Sequence, residues 1–336
     1  MKQANAIIYF LICFSFVAKA QTNNEEPNKI FRISSKAVWE PGMSIMQDIR
    51  NECGKKEYPD FGECFWAEAK KAGASADALA FIKMTKNDGY LRDFKETGRV
   101  DVAYAFYPFR ANENQLCFLV NGSPDMIDVD DYKIMKTFAL EKNETYKELK
   151  NKYSDISIWP GDRSGTDYPV VNSGTGGGQI FTFVYRLRNG CHACMLLGLA
   201  NVDFYFNKDG RYIGSKVVNV IKTKDTNSGE AIENAYTNGS KEIKVKAGKS
   251  FSISLSSNRT TGYEWEPANS FNDRIIRLLS KQYLPGNSNL PGSGGTENWN
   301  FITLSKGETA VALEYVRPWE KDKQPAKKIE FKIVVY

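Results

Sequence analysis

The sequence predicts an α+β module over residues 21–222 and an all-β sandwich over 241–336, joined by a polar linker at 223–240. Three observations support this. Up to residue 222, stretches with helical spacing of apolar residues alternate with short apolar runs of strand length. From 241 onward the apolar residues recur at every second position, as in strands with one buried face. Between the two, Asn227-Ser228-Gly229 and Asn238-Gly239 punctuate a stretch with no period, which admits a short helix at 230–236. With 42% hydrophobic and 25% charged residues the chain is of ordinary globular composition, which excludes wholesale disorder.

Residues 1–20 have the make-up of a secretory signal peptide. Lys2 opens it, 7–17 is apolar, and Ala18-Lys19-Ala20 is the small-x-small pattern of a cleavage site. The apolar run is too short to cross a bilayer, and no later stretch is apolar enough to do so. The mature chain is therefore expected to be secreted or periplasmic, with no membrane span. Loss of Lys2 and Lys19 lowers the net charge from +5 to +3. Residues 21–237 hold 28 basic and 30 acidic side chains, and 238–336 hold 15 and 10. A modestly basic C-terminal module can steer toward an acidic partner. No Lys/Arg cluster of the nucleic-acid-binding kind occurs, so no nucleic-acid partner is expected.

In the first module the spacing predicts a helix over 63–84, with Phe65, Ala69, Ala72, Ala76, Leu79, Ala80 and Lys83 following the helical period. Gly73 weakens it or divides it in two. A second helix is predicted over 131–153, which is charge-patterned and poor in breakers. Strands are predicted at 100–107 and 115–121. Asn207-Lys208-Asp209-Gly210 predicts a hairpin between 202–206 and 211–218, because Asp-Gly suits a turn with positive φ.

Secretion permits disulfides. Cys53 and Cys64 flank the turn-rich Tyr58-Pro59-Asp60 and are placed to bridge. Cys191-His192-Ala193-Cys194 has the spacing of a redox or zinc motif. A redox site needs a full helix after it, and only 195–200 separates it from the next strand-like run. Zinc needs more ligands than one pair supplies, and His192 is the only histidine in the chain. A structural disulfide, local or long-range, is the expectation. Cys117, inside the apolar run 116–120, reads as a buried thiol.

Two further stretches are candidate sites. Asp125, Asp128, Asp130 and Asp131 cluster, but without the spacing and late Glu of a calcium loop. Gly174-Thr175-Gly176-Gly177-Gly178 lacks the Gly-Lys-Ser/Thr ending of a phosphate loop. A hydrolase triad would need His192 and a Gly-x-Ser-x-Gly elbow, and no elbow is present. All read as loops. No catalytic residue, metal or cofactor is expected. The first module is expected to fold alone and to bind or position a partner, with an unrecognised enzyme as the alternative.

In the second module Ile243 and Val245 share one side of a strand, as do Phe251, Ile253 and Leu255, then Val311, Leu313 and Tyr315, then Ile329, Phe331, Ile333 and Val335. About seven such strands make a β-sandwich, here without cysteine. Three stretches fall between strands: Asn258-Arg259-Thr260-Thr261-Gly262-Tyr263, Gly292-Ser293-Gly294-Gly295 and Arg317-Pro318-Trp319. Alone, each is an ordinary turn. Together and in this order, the segment from about 240 to 336 resembles the chagasin family of cysteine-protease inhibitors. That family carries Asn-Pro-Thr-Thr-Gly, Gly-x-Gly-Gly and Arg-Pro-Trp loops. Arg259 is the one departure, standing at the position of the family's proline.

The resemblance implies an immunoglobulin-like fold without a disulfide. It also implies that the three loops block the cleft of a papain-family cysteine protease without being cleaved. The first loop would enter the catalytic centre, the second lie along the non-primed side, and the third along the primed side. The residue types suit such a wedge. Gly262 permits close approach, Thr260 and Thr261 stiffen the backbone, and Asn258 can pin its own turn. Pro318 limits freedom and Trp319 offers a flat apolar face. Arg259 gives up proline's pre-set φ and is expected to add a charge near the enzyme's cleft, so restoring proline should be neutral or improve affinity. Sequons occur at Asn121, Asn143, Asn238 and Asn258. A glycan at Asn258 would keep the first loop out of a cleft, which favours a bacterial origin. The alternative function is an immunoglobulin-like adhesion or envelope module.

Overall fold

The chain folds as three helices on a four-stranded meander, a second and longer sheet behind it, and two further sheets at the C-terminus. This is a computed structural model, which describes residues 32–336 except 58, 87, 111–113, 162, 164–168, 225–230, 233–234, 238–241, 287–293 and 321–322. The stretch 1–20 that reads as a signal peptide, the sequon at Asn238, Gly292 and Ser293 lie outside the described residues. Residues Ile33–Tyr336 form one compact unit.

The helices are α1 (Met43–Cys53), α2 (Asp60–Lys71) and α3 (Ala76–Met84). The predicted helix over 63–84 is thus divided, and Gly73 is the cause, with φ +84 between the two halves. Ser75 then caps α3 by accepting from Ala78 N at 3.0 Å. The apolar faces of α1 and α2, with Ile49, Cys53, Phe61, Phe65 and Ala69, meet Ile82 and Tyr90 in one cluster. A Cys53–Cys64 disulfide with Cα atoms 5.7 Å apart links α1 to α2.

Strands β1 (Tyr90–Lys95), β2 (Asp101–Phe106), β3 (Gln115–Val120) and β4 (Met126–Asp128) follow in an antiparallel meander. This sheet is covered on both faces. Leu91, Ala103, Ala105, Phe118 and Val120 pack with Phe81 of α3. Val102, Tyr104, Cys117, Leu119 and Ile127 pack against the second sheet. Two-sided burial is why β2 and β3 read as continuous apolar runs instead of alternating.

The predicted helix over 131–153 is not continuous. It splits into α4 (Tyr132–Met135), two 3-10 turns at Lys136–Phe138 and Leu140–Lys142, and α5 (Glu144–Lys152). Phe138 and Leu140 are both buried in the same cluster. On a continuous helix, residues two apart would point about 200° from one another. Ala139 between them adopts φ 53, which turns both inward. Asn143 then caps α5, its side chain accepting from Tyr146 N at 3.1 Å.

The second sheet holds β5 (Ile156–Pro160), β6 (Val170–Ser173), β7 (Gln179–Asn189), β8 (Leu196–Phe206), β9 (Tyr212–Lys224) and β10 (Ala231–Ile232) in the order β10-β9-β8-β7-β5, with β6 also on β7. The Asn207–Gly210 turn joins β8 to β9, with Gly210 at φ 79. Residues 195–200, which the sequence suggests are a separator, mostly belong to β8. Cys191 and Cys194 are disulfide-bonded to each other in the β7–β8 turn. The short helix admitted at 230–236 is replaced by β10, which pairs with Thr223 and Lys224, and by a bridge from Tyr236 to Ile253.

The C-terminal strands are β11 (Glu242–Val245), β12 (Ser250–Ser257), β13 (Glu264–Pro267), β14 (Ile276–Pro285), β15 (Gly295–Thr303), β16 (Gly307–Val316) and β17 (Lys327–Val335). They form the sheets β11-β17-β16-β13 and β12-β15-β14. All pairs are antiparallel except β11 with β17. One core is shared by both sheets, including Ile253, Leu255, Trp265, Trp299, Phe301, Val311, Leu313, Phe331 and Ile333. The other face of β12-β15-β14 carries polar rows that are nevertheless buried: Ser252, Asn300 and Ser280 across one row, Asn298 and Gln282 in the next. They satisfy one another in part, Ser252 Oγ donating to Asn300 at 2.7 Å and Asn300 to Ser280 at 2.8 Å. This half of the chain does not stand apart from the first. β14 lies against β6 and β7, and Arg277 reaches the buried Asp203 of β8 at 2.8 Å.

Candidate functional site

At the end of β12 the chain makes one tight turn, Arg259–Thr261, and its polar groups find partners close by. Asn258 accepts through Oδ1 from Thr260 N at 3.2 Å and from Thr260 Oγ1 at 2.6 Å. Thr261 Oγ1 donates to Asn258 O at 2.6 Å, and Gly262 N to Arg259 O at 2.9 Å. This closes the turn without help from a partner molecule and leaves Thr260 and Thr261 exposed at its tip. Asn258 N donates to the Tyr315 hydroxyl at 2.7 Å, which fixes the base of the turn to β16.

Gly262 is required twice over. Its φ of 77 lies in the left-handed region, and a Cβ there would fall 2.4 Å from Cη2 of Trp319. Arg317 joins the same contact, its Nε donating to Thr261 O at 3.1 Å and its guanidinium lying 4.6 Å from the centre of the Tyr263 ring. Tyr263 in turn stacks on Tyr315 at 5.3 Å. Glu320 holds the Arg317-Pro318-Trp319 loop in shape, since it takes Arg317 Nη1 at 3.3 Å and Lys323 Nζ at 3.0 Å. Both cations hold its carboxyl below the usual range, Lys323 foremost. Trp319 itself is 66% exposed.

Of the glycine loop, Gly294 and Gly295 are described. Gly295 pairs with Ser257 on one side and Pro285 on the other. A Cβ at Gly294 would lie 3.2 Å from Ser257 O, and one at Gly295 2.4 Å from Leu284 O. Close backbone approach therefore dictates glycine at 295 and leaves a side chain at 294 little room. A hollow of about 640 Å³ runs between this loop and the first, lined by Asn258, Thr261, Gly286, Gly294, Tyr315 and Lys327. The first loop, the third loop and the described end of the second thus meet at one end of the two C-terminal sheets.

Sequence reasoning missed four supporting residues. Tyr315 reads as a strand residue only, and Tyr283 carries no signal. Glu320 carries a legible signal, three residues after Arg317. Glu297 carries another, an acid in register with the inward Trp299 and Phe301. It is buried, accepts from Ser257 Oγ at 2.5 Å and from Trp265 N at 3.2 Å, and lies 3.8 Å from Lys281. Burial raises its pKa, while Lys281 and the Ser257 hydrogen bond oppose that rise. Arg259 is the family departure, and its guanidinium lies 4.9 Å from the Tyr283 ring centre.

In the first half, the aspartate cluster has structural uses. Asp130 forms a bidentate pair with Arg163 at 2.8 and 2.9 Å, both side chains being buried. Asp131 caps α4 by accepting from Lys133 N at 2.7 Å. Asp128 accepts from Asp130 N at 2.9 Å, and burial raises its carboxyl to about 6. The glycine run closes the β6–β7 turn, with Gly174 N donating to Gly178 O at 2.8 Å. His192 packs edge-on against Trp159 at 5.2 Å. Cys117 is buried, and burial pushes its thiol well up. Two of the described sequon residues, Asn143 and Asn258, use their side-chain oxygens as caps. Asn121 donates its amide to Ile33 O at 2.8 Å and to Asp101 Oδ2 at 2.7 Å.

Comparison with known proteins bears on the C-terminal sheets. The family model "Chagasin family peptidase inhibitor I42" matches residues 244–335. Chagasin of Trypanosoma cruzi is 37% identical over 81 residues, which cover 23% of this chain and 73% of chagasin. Amoebiasin-2 of Entamoeba histolytica is 30% identical over 86 residues, covering 25% of this chain and 68% of that protein. Among solved structures, a cysteine protease inhibitor from Entamoeba histolytica aligns over 31% of this chain and 95% of its own, with 23% identity and a TM-score of 0.28. Identity at the level of chagasin, sustained over most of a relative's length, is more than a coincidence of turns, and through residues 244–335 the chain belongs to the chagasin family of peptidase inhibitors.

Proposed function

We propose that this chain is a secreted inhibitor of papain-family cysteine proteases that blocks the active-site cleft with three loops and is not cleaved. The observation that carries the reading is the junction of the first and third loops: Arg317 holds Thr261 O, and the Trp319 ring covers Gly262. A papain-like enzyme has a thiolate–imidazolium pair at the floor of a cleft. The turn Asn258-Arg259-Thr260-Thr261-Gly262 meets that pair with small exposed groups. Its backbone is tied down internally, so little ordering cost remains on binding. Trp319 and the glycine loop flank it on either side. On this reading the C-terminal sheets are an immunoglobulin-like sandwich without a disulfide, 241–336. Residues 21–222 are a binding or positioning module, 223–240 the link, and 1–20 a cleaved leader.

Titration of the mature chain against papain and a cathepsin-L-like enzyme tests this. Reversible, stoichiometric inhibition is the expected result. An adhesion module of the same fold would leave both enzymes untouched at micromolar concentration.

A further inference from the structure

Arg259 occupies the family's proline position, and its surroundings give that departure a use. The guanidinium lies 4.9 Å from the Tyr283 ring centre, and Nε is shielded from solvent. Tyr283 sits between two of the loops: a Cβ added at Gly295 would fall 2.6 Å from its hydroxyl. The positive charge also acts on the buried carboxyl of Glu297, which holds Ser257 just before the turn. Finally, Arg259 lines a cavity of about 780 Å³ that Lys95, Thr97, Asn172, Ser173 and Gln179 of the N-terminal sheets also line. The side chain therefore lies against Tyr283 and borders a cavity shared with the N-terminal sheets.

We propose that Arg259 is a positioning residue for the inhibitory turn, a side-chain anchor that takes over the stiffening a proline supplies elsewhere in the family. The inference rests on the three-loop reading above. Proline narrows φ before the loop ever meets an enzyme. Arginine leaves φ free but ties the turn from outside through a shielded cation–π contact, which is stronger than an exposed one. The anchor point is itself held. Tyr283 lies on β14, the strand whose Arg277 pairs with buried Asp203 of β8. Loop, Arg259, Tyr283, β14 and the N-terminal sheets thus form one connected path.

The test uses the full mature chain with Arg259→Ala, Arg259→Lys, Arg259→Pro, Tyr283→Leu and the Arg259→Ala/Tyr283→Leu pair. Two readouts are taken: papain inhibition with on- and off-rates, and amide hydrogen exchange of the peptide spanning 258–263. Arg259→Ala is expected to weaken inhibition about threefold to thirtyfold, chiefly through faster dissociation. Exchange in 258–263 should rise, with no change in melting temperature. Arg259→Lys, which keeps both the charge and the aliphatic stem, should rescue most of both effects. The double variant should be no worse than the worse single one. Arg259→Pro should be no tighter than the parent, the neutral outcome of the two that the family resemblance allows. The anchor is overturned if Arg259→Ala leaves exchange unchanged, or if it raises exchange while Arg259→Pro inhibits more tightly than the parent. Should the parent not inhibit at all, the proposed function fails, and the exchange measurement alone then decides whether the anchor exists.

Discussion

Trp319 offers the largest exposed apolar face of the three loops, and the tryptophan type is the one most enriched among interface hot spots. Trp319→Ala is expected to weaken protease inhibition by roughly 2–4 kcal/mol, thirtyfold or more. Its ring also roofs Gly262, so part of that loss is a loosened first loop. Gly262→Val should be as severe for two stated reasons, the positive φ and the Trp319 ring end, 2.4 Å from where a Cβ would stand. Thr261→Ala removes the hydroxyl that donates to Asn258 O but keeps the backbone carbonyl that Arg317 holds, and should cost about 1 kcal/mol. Inhibition constants measured beside melting temperatures separate lost contact from lost fold. If Trp319→Ala and Gly262→Val both inhibit like the parent, the three-loop wedge is wrong. A residue-scale pH effect belongs to Asp128. Its folded pKa, raised from 3.8 to about 6 chiefly by burial, exceeds its unfolded one. The stability it contributes is therefore full below about pH 3.8 and lost as pH rises through about 6. Asp128→Asn should then raise the melting temperature at pH 8, by an equivalent of roughly 1–3 kcal/mol, and leave it unchanged at about pH 3.5.

Single elements show where sequence patterns and packing disagree. The stretch 131–153 has the composition of one helix, yet burial of both Phe138 and Leu140 in the core behind it breaks the helix at Ala139. Nothing local announces this, because the demand comes from residues far along the chain. The buried Asp130–Arg163 pair is similar. Its members lie 33 residues apart, and Arg163 also packs over Phe183 and Tyr185, each ring centre 5.2 Å away. Arg163→Met is expected to destabilise strongly, by roughly 3–5 kcal/mol, because it strands a buried carboxylate. Asp130→Asn combined with Arg163→Met should cost clearly less than Arg163→Met alone. Denaturant midpoints for the single and double variants check this, and equal losses would mean the charge is not the issue.

At the scale of the whole molecule, the face of the C-terminal β12-β15-β14 sheet that turns away from its own core is not left to solvent. Ser280, Gln282, Asn298 and Asn300 on it are buried, and Arg277 is paired with Asp203 at 2.8 Å. Asp203 is held further by Thr182 at 2.7 Å and Tyr205 at 3.0 Å. Arg277→Ala is expected to lower the stability of the full chain by a few kcal/mol, since a fully buried carboxylate loses its cation. Residues 21–222 expressed alone expose the same site. They should fold but melt lower than in the full chain, and leave papain activity unchanged. Calorimetry of the fragment beside the full chain measures the first expectation. Inhibition by the fragment, absent from 238–336, would reverse the assignment of function to the C-terminal sheets.

The alternation of Ile243, Phe251, Val311 and Phe331 with their polar neighbours determined the C-terminal strands, because a half-buried strand writes its buried face into the sequence at every second residue. The turns at Gly262 and Gly295 were legible too, since glycine at a left-handed turn or under a neighbouring backbone has few substitutes. Gly73 and the Asp209-Gly210 turn were legible on the same ground. What the chain could not disclose locally were the partnerships made across long separations. Phe138 and Leu140 sharing one core, Arg163 reaching Asp130, Arg277 reaching Asp203, and Arg259 lying against Tyr283 each depend on surfaces that exist only once the sheets have packed. A charged side chain reads as solvated until a buried partner is in place, and only the tertiary structure supplies that partner.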